Sequence, residues 1–311
     1  MTVGKSRVGE MPNANTATVS APAVGRLPQV NWDLLSSLLR CPSCESYALD
    51  LRPDAVICQG CGKSYAVDGG IIDFVGDVNV QTPVFYDDPY YRRFIESIST
   101  LHDAHYQQGS FSNGIENRVK ADLFKLVKPS SDISVDLGCG LGNGFPLIGA
   151  EEKIIGVDFE VVLLKKTQER FPKASLFRAD LGALPFRSGS LKRIFANAVL
   201  EHVFYIESAL SHIQRSLAHD GAFYVAIPTE GSIAVDVARL YTSSRNGKLI
   251  GLTAAQSRIA QRKDHCNTIF LLENMFRKFF EIERTSSWPF GIGGTHVNLS
   301  KSYVLRSLKA R

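Results

Sequence analysis

The chain has 311 residues, 44% hydrophobic and 21% charged, with a formal net charge of +4. That is the balance of an ordinary globular protein, and a length that predicts about two units of roughly 150 residues, or one large α/β domain with an appendage. Lys5, Arg7 and Arg26 against Glu10 put half of the net charge in the first thirty residues; the nearly neutral remainder makes no electrostatic case for nucleic acid, whose binding rests on phosphate neutralisation.

No apolar run reaches the roughly 20 residues of a bilayer span, and the start lacks the apolar stretch of a secretory leader. A cytoplasmic protein with no membrane span is expected. Residues 1–30 show no sustained period and read as a disordered tail. Asn31 to Arg40 predicts a short helix, with Asn31 as cap and leucines at 34, 35, 38 and 39. A cysteine module fills the rest of 31–76. Residues 77–114 form a connector and cap, broken early by Pro83 and Pro89. A helix is expected from Tyr90 to about His105, and the aromatic residues Tyr86, Tyr90, Tyr91, Phe94 and Tyr106 serve packing or line a pocket.

From Ile115 strands and helices alternate. Helices are predicted at Ile115–Val127, Val161–Phe171, Ile206–Ala218 and Leu271–Phe280. Strands are predicted at Ile133–Leu137, Lys153–Val157, Ala174–Ala179, Leu191–Ala196, Ala222–Ile227, Glu281–Ser287 and within Thr295–Leu308. This rhythm predicts an α/β fold: a Rossmann-like, doubly wound, mainly parallel seven-stranded sheet over 115–311, preceded by a small cysteine-bound module. The stretch 229–267 is too long for an ordinary strand-to-helix loop and reads as a lid.

Cys41-Pro-Ser-Cys44 and Cys58-Gln-Gly-Cys61 are two C-x-x-C knuckles. Their spacing suits a tetrahedral Cys₄ zinc site, each knuckle giving two thiolates from a tight turn. A redox pair would want a thioredoxin-like context, which neither has. Cys139 and Cys266 read as small buried residues.

The strand ending at Leu137 runs into Gly138-Cys139-Gly140-Leu141-Gly142. Glycine admits positive φ and close approach of a ligand, and the helix start beyond it would offer free N–H groups to a pyrophosphate or a carboxylate. Asp158 ends the second strand, placed for ribose hydroxyls. Asp180 ends the third, where a carboxylate can accept from an adenine amino group. Asn197 and the stretch Leu200-Glu201-His202-Val203 follow the fourth. A dehydrogenase would use the same turn, but its fingerprint wants a third glycine where Asn143 stands.

In this order the pieces from Asp136 to Gly142, Gly156-Val157-Asp158, Ala179-Asp180 with Leu184-Pro185-Phe186, and Leu200 to Val203 resemble the class I S-adenosylmethionine-dependent methyltransferases, in the subgroup of ubiquinone and menaquinone biosynthesis enzymes. The resemblance covers about residues 115–308. It implies that the glycine loop holds the methionine portion of S-adenosylmethionine, Asp158 the ribose and Asp180 the adenine, with Asp136, Gly138, Gly140, Gly142, Leu181 and Asn197 among the contacts. Two departures stand out: Lys192-Arg193 opens the fourth strand, where the family has an acidic residue, and Phe145-Pro146 shortens or kinks the helix after the loop. The cysteine module, from Leu38 to Phe74, resembles the small zinc-ribbon proteins related to the activator subunit of tRNA and protein methyltransferases.

Methyl transfer is an in-line displacement at a sulfonium carbon; the protein supplies orientation and, for some acceptors, a base. His202 and His265 are the candidate catalytic residues, although a hydrogen bond anchoring the lid would account for His265 as well. The favoured acceptor is a small molecule. An RNA acceptor docked by the ribbon is the alternative, helped by Lys301, Arg306, Lys309 and Arg311 near the C-terminus, and a non-catalytic cofactor-binding partner of another methyltransferase is the third reading.

Overall fold

The computed structural model describes residues 30–76, 87–97, 111–291 and 294–308. Almost all of the predicted tail, with Tyr86, Tyr106 and most of the connector, lies outside the described residues. Helix α1 is Trp32–Ser36, capped by Asn31, and is shorter than expected. Strands β1 (Leu49–Leu51), β2 (Ala55–Cys58), β3 (Ser64–Asp68) and β4 (Ile71–Asp73) build the cysteine module, and α2 covers Pro89–Glu96. Then come α3 (Phe111–Phe124), β5 (Ser134–Leu137), α4 (Phe145–Ile148), β6 (Ile154–Asp158), α5 (Val161–Arg170), β7 (Ser175–Arg178), β8 (Leu191–Asn197), α6 (Ile206–Ser216) and β9 (Leu217–Pro228). The chain continues with α7 (Ile233–Ile250), α8 (Ala254–Asp264), α9 (Ile269–Phe279), β10 (Phe280–Trp288) and β11 (Ser300–Ser307).

The strands form one sheet in the order β1-β2-β3-β4-β7-β6-β5-β8-β9-β11-β10. The seven strands expected from residue 134 onward are present, but the sheet has eleven. The cysteine module is not a separate appendage, because β4 pairs in parallel with β7, Ile72 opposite Phe177. The sheet is also mixed rather than mainly parallel: β1 to β4 form antiparallel ladders, as do β9, β11 and β10. The sequence patterns explain the parallel centre. A strand covered on both faces reads as an unbroken apolar run, and along β8 and β9 successive side chains enter opposite cores. Ile194, Ala196, Val225 and Ile227 join α6 and α9 on one face. Phe195, Tyr224 and Ala226 join α3, α4 and α5 on the other.

Gly156 sits where β6 passes under the glycine loop. A Cβ there would lie 2.8 Å from Phe145 Cζ and 2.9 Å from both Cys139 Sγ and Leu176 Cδ2. Overpacking of this kind costs about 1–3 kcal/mol, so Gly156→Ala is expected to lose that much stability in urea unfolding.

The join to the module runs through Leu184-Pro185-Phe186. Arg40 N donates to Pro185 O and Arg187 N to Leu38 O, each at 2.8 Å, around an isolated bridge between Leu39 and Phe186. Arg187 also donates to Leu39 O and Ser36 O, at 2.8 and 2.9 Å. The stretch 229–267 folds as α7 and α8 rather than as loop. Ser232 and the Thr253–Gln256 capping box start these helices, and Gly251 in the left-handed region ends the first.

Candidate cofactor and acceptor site

Strand order reverses direction at β5, which has β6 on one side and β8 on the other. In open α/β sheets ligands bind at such a point, beyond the carboxyl ends of the strands. Asp136 lies within β5, 6% exposed. Burial drives its carboxyl up from 3.8 to about 7; Lys120 opposes the rise and Asp158 adds to it.

Gly138 and Gly140 hold positive φ, 66° and 52°. A Cβ on Gly138 would sit 2.4 Å from Val199 Cγ2, whereas above Gly140 there is open space. The loop is therefore packed from beneath and clear at its tip. Thr167 Oγ1 donates to Gly140 O at 2.6 Å and Arg170 to Leu141 O at 2.7 Å, which pins it to α5. Asp158, the last residue of β6, accepts from Gly140 N at 2.8 Å through one oxygen and from Glu160 N at 2.9 Å through the other.

Part of the loop's N–H set is already used within the protein. Gly138 N and Cys139 N donate to Val157 O, Gly142 N to Cys139 O and Phe145 N to Gly142 O. Helix α4 is only four residues long, with Pro146 in its first turn and Gly149 at its end. A helix this short adds little macrodipole for a pyrophosphate.

Asp180 follows β7 and caps the short 3₁₀ turn Leu181–Ala183, accepting from Gly182 N at 2.7 Å. Leu181 is half-buried in that turn. Asn197 ends β8, and its side-chain Oδ1 is buried without a hydrogen-bond partner. The next residue, Ala198, has φ 54°, a conformation that costs a non-glycine residue about 1 kcal/mol or more.

Two sequence motifs distant in the chain meet here. Asn267 Nδ2 donates to Leu200 O at 2.8 Å and to Val203 O at 2.7 Å, while Asn267 N donates to Glu201 O at 3.1 Å. This clamp sets the His202 and His265 rings edge to face, with centroids 4.5 Å apart. His202 Nδ1 lies 3.0 Å from Asp264 Oδ2. Burial opposes charge on His202, but Asp264 and Glu201 outweigh it and lift its pKa to about 9. His265 Nδ1 lies 2.6 Å from Glu230 Oε1, and Arg239 holds the other oxygen of Glu230 at 2.6 Å. Nδ1 also has Arg239 Nη2 at 3.1 Å, but the shorter contact is to a carboxylate that can only accept, so Nδ1 carries the proton. Sequence reasoning gave Glu230, Arg239 and Asp264 no role, although Asp264 and Glu201 adjoin the two histidines it selected.

The four cysteines also converge, their sulfurs within 4.8 Å of one another. Cys41 Sγ is 3.8 Å from Cys61 Sγ, and Cys44 Sγ 3.5 Å from Cys58 Sγ. Four thiolates at about 2.3 Å from a tetrahedral zinc stand about 3.8 Å apart, so the donor set fits that ion. Gly60 is required: a Cβ there would lie 2.8 Å from Ser46 Cβ.

Residues 135–225 match the family model described as a methyltransferase domain. Among curated proteins, similar segments occur in trans-aconitate 2-methyltransferase of Methylobacterium nodulans, 36% identical over 116 residues, or 36% of this chain and 44% of the relative. Another lies in a probable S-adenosylmethionine-dependent methyltransferase of Mycolicibacterium smegmatis, 27% identical over 95 residues, covering 30% of this chain and 37% of the relative. The chain thus spans less than half the length of the curated relatives it matches. Among solved structures, an S-adenosylmethionine-dependent methyltransferase from Thermotoga maritima aligns over 70% of this chain and 100% of its own, with 16% identity and a TM-score of 0.48. A chain from the complex between the Haloferax volcanii Trm112 methyltransferase activator and a methyltransferase aligns over 74% and 99%, with 15% identity and a TM-score of 0.46. The segment around the glycine loop, residues 135–225, is thus similar to methyltransferase domains and lies on the parallel centre of the sheet.

Proposed function

We propose that the protein transfers a methyl group from S-adenosylmethionine to a small-molecule acceptor. The buried, unpartnered Asn197 Oδ1, at the end of the strand paired with the one that leads into the open glycine loop, carries this reading: a polar atom left bare in the interior costs about 1–3 kcal/mol unless a ligand meets it. Gly138, Gly140 and Gly142 would take the methionine portion, Asp158 the ribose and Asp180 with Leu181 the adenine, with Asp136 and Asn197 completing the cradle. Asp158 would exchange its bond to Gly140 N for the ribose hydroxyls. The acceptor would sit beyond β8, beside His202 and His265 and under the α7–α8 lid. Relatives named for trans-aconitate, a small acid, support a small acceptor. Zinc on Cys41, Cys44, Cys58 and Cys61 would staple the module and take no part in the transfer.

Calorimetric titration should show tight binding of S-adenosylhomocysteine and none of NAD; the reverse result overturns the reading. Labelled cofactor screened against small acids and against RNA then separates acceptor classes, and strongly salt-dependent RNA retention would point to the other acceptor. His265→Ala should slow turnover by about 100-fold while S-adenosylhomocysteine affinity stays within about twofold of wild type. Equal turnover removes His265 from the reaction.

A further inference from the structure

His202, Asp264 and His265 bring one nitrogen or oxygen donor each to within 4.8 Å of one another. We propose that these three side chains bind a single first-row divalent cation, distinct from any ion on the four cysteines, at the acceptor side of the site.

Three independent observations support the site. The first is distance. Two donors about 2.1 Å from a tetrahedral zinc are about 3.4 Å apart, and His202 Nδ1 and Asp264 Oδ2, at 3.0 Å, need open only slightly to admit the ion. The second is the tautomer of His265. A metal-binding imidazole commonly donates its other N–H to a carboxylate, which fixes the ring and raises its basicity. Glu230 accepts from Nδ1 at 2.6 Å and is itself held by Arg239, so the bare lone pair is on Nε2. The third is charge. Glu201 is 1% exposed, its Oε2 has no partner, and its Oε1 lies 3.9 Å from His202 Nε2. Glu201, Glu230 and Asp264 surround the two rings, and among the described residues Arg239 is the one guanidinium paired with any of these carboxylates, through Glu230. A cation would meet this carboxylate-rich surround.

Two imidazoles and one carboxylate are the donor set of an open site, in which the ion keeps positions for an exogenous oxygen. His202 has 37% of its side chain exposed, which gives solvent a path to the cluster. On the methyltransferase reading, the open positions would orient an anionic oxygen of the acceptor, so the favoured acceptor class is one with a carboxylate or an ionisable hydroxyl. Binding of the ion does not depend on that reading.

The test uses the full chain, dialysed against buffered micromolar Zn²⁺, with zinc counted by mass spectrometry. Wild type should carry one more equivalent than either Asp264→Asn or His202→Gln, with all three samples matched for far-UV circular dichroism. Glu230→Gln, which touches no ion, should weaken uptake of that equivalent by about 10–100-fold, a change that a purely structural hydrogen bond would not produce. Equal zinc content in wild type, Asp264→Asn and His202→Gln overturns the proposal. S-adenosylhomocysteine titration of the same samples reports separately on the cofactor reading.

Discussion

Asp136→Asn is expected to stabilise the protein and weaken its hold on cofactor. Asp136 is buried in β5, and its carboxyl titrates near 7 in the fold against 3.8 as the ordinary value. A raised carboxyl binds more protons in the native than in the unfolded state. The fold is therefore unpenalised below about pH 3.8, loses stability progressively as pH rises toward 7, and carries the full penalty above that. A rise of this size corresponds to about 4 kcal/mol. The amide removes the titration, so urea unfolding should show the Asp136→Asn variant ahead of wild type by a few kcal/mol at pH 8, with the gap closing toward pH 4. Calorimetry at pH 8 should show S-adenosylhomocysteine bound about 10–100-fold more weakly, since a charge-assisted bond to an ammonium group is worth about 1.5–3 kcal/mol. A variant with no stability gain at pH 8 would show that Asp136 is not held at a cost. A gain without loss of affinity would remove it from the cofactor cradle.

The second large effect concerns the cysteine module. Cys58→Ser combined with Cys61→Ser should lower the melting temperature by about 10 °C or more, the equivalent of roughly 3–5 kcal/mol in a domain of this size. It should also weaken cofactor binding at a distance. The route is physical: Asp73 in β4 pairs with Arg178 at 3.0 Å, and Arg178 Nε donates to Phe159 O at 3.2 Å, next to Asp158. Loss of β4 frees Arg178 and loosens the end of β6. Arg178→Ala alone should reproduce the weaker binding with little change in melting temperature. A double cysteine variant that melts like wild type would exclude a stapling role for the module.

Much of the fold was legible because its strands and helices are strongly patterned. The strands predicted at Ile133, Lys153, Ala174 and Leu191 begin within a residue or two of those observed, and the helix expected to be short after the glycine loop is a single turn, ended at Gly149. Pairing partners were not legible. Ile71-Ile72-Asp73 is three residues long, and nothing local says that it lies against Leu176-Phe177-Arg178. The helices at 233–264 were read only as a long interruption; the moment of α7 is diluted by apolar residues such as Ile233, Val237 and Leu240 on its exposed side. In the site, residues next to strand ends were selected from the chain, because strand ends fix position. Glu230 and Arg239 act by reaching across from the lid, and only a third dimension reveals that. In the glycine turn, Gly138 N and Cys139 N close on Val157 O and Gly140 N on Asp158, pairings across the sheet that no local pattern announces.

The parallel pairing of β4 with β7 also orders events during synthesis. Cys41 and Cys61 lie twenty residues apart, a loop short enough to close soon after it leaves the ribosome. The outer edge of the resulting hairpin must then wait, since Asp73 meets Arg178 only after 105 further residues have been made. Until then β4 is an unpaired edge open to the wrong strand. When β7 arrives it finds a template already in place, so the module acts as a starting rail on which the sheet is laid. A chain with its ribbon spliced to the C-terminus would have to finish the sheet before that rail existed, and would refold more slowly and with more aggregation than the natural order.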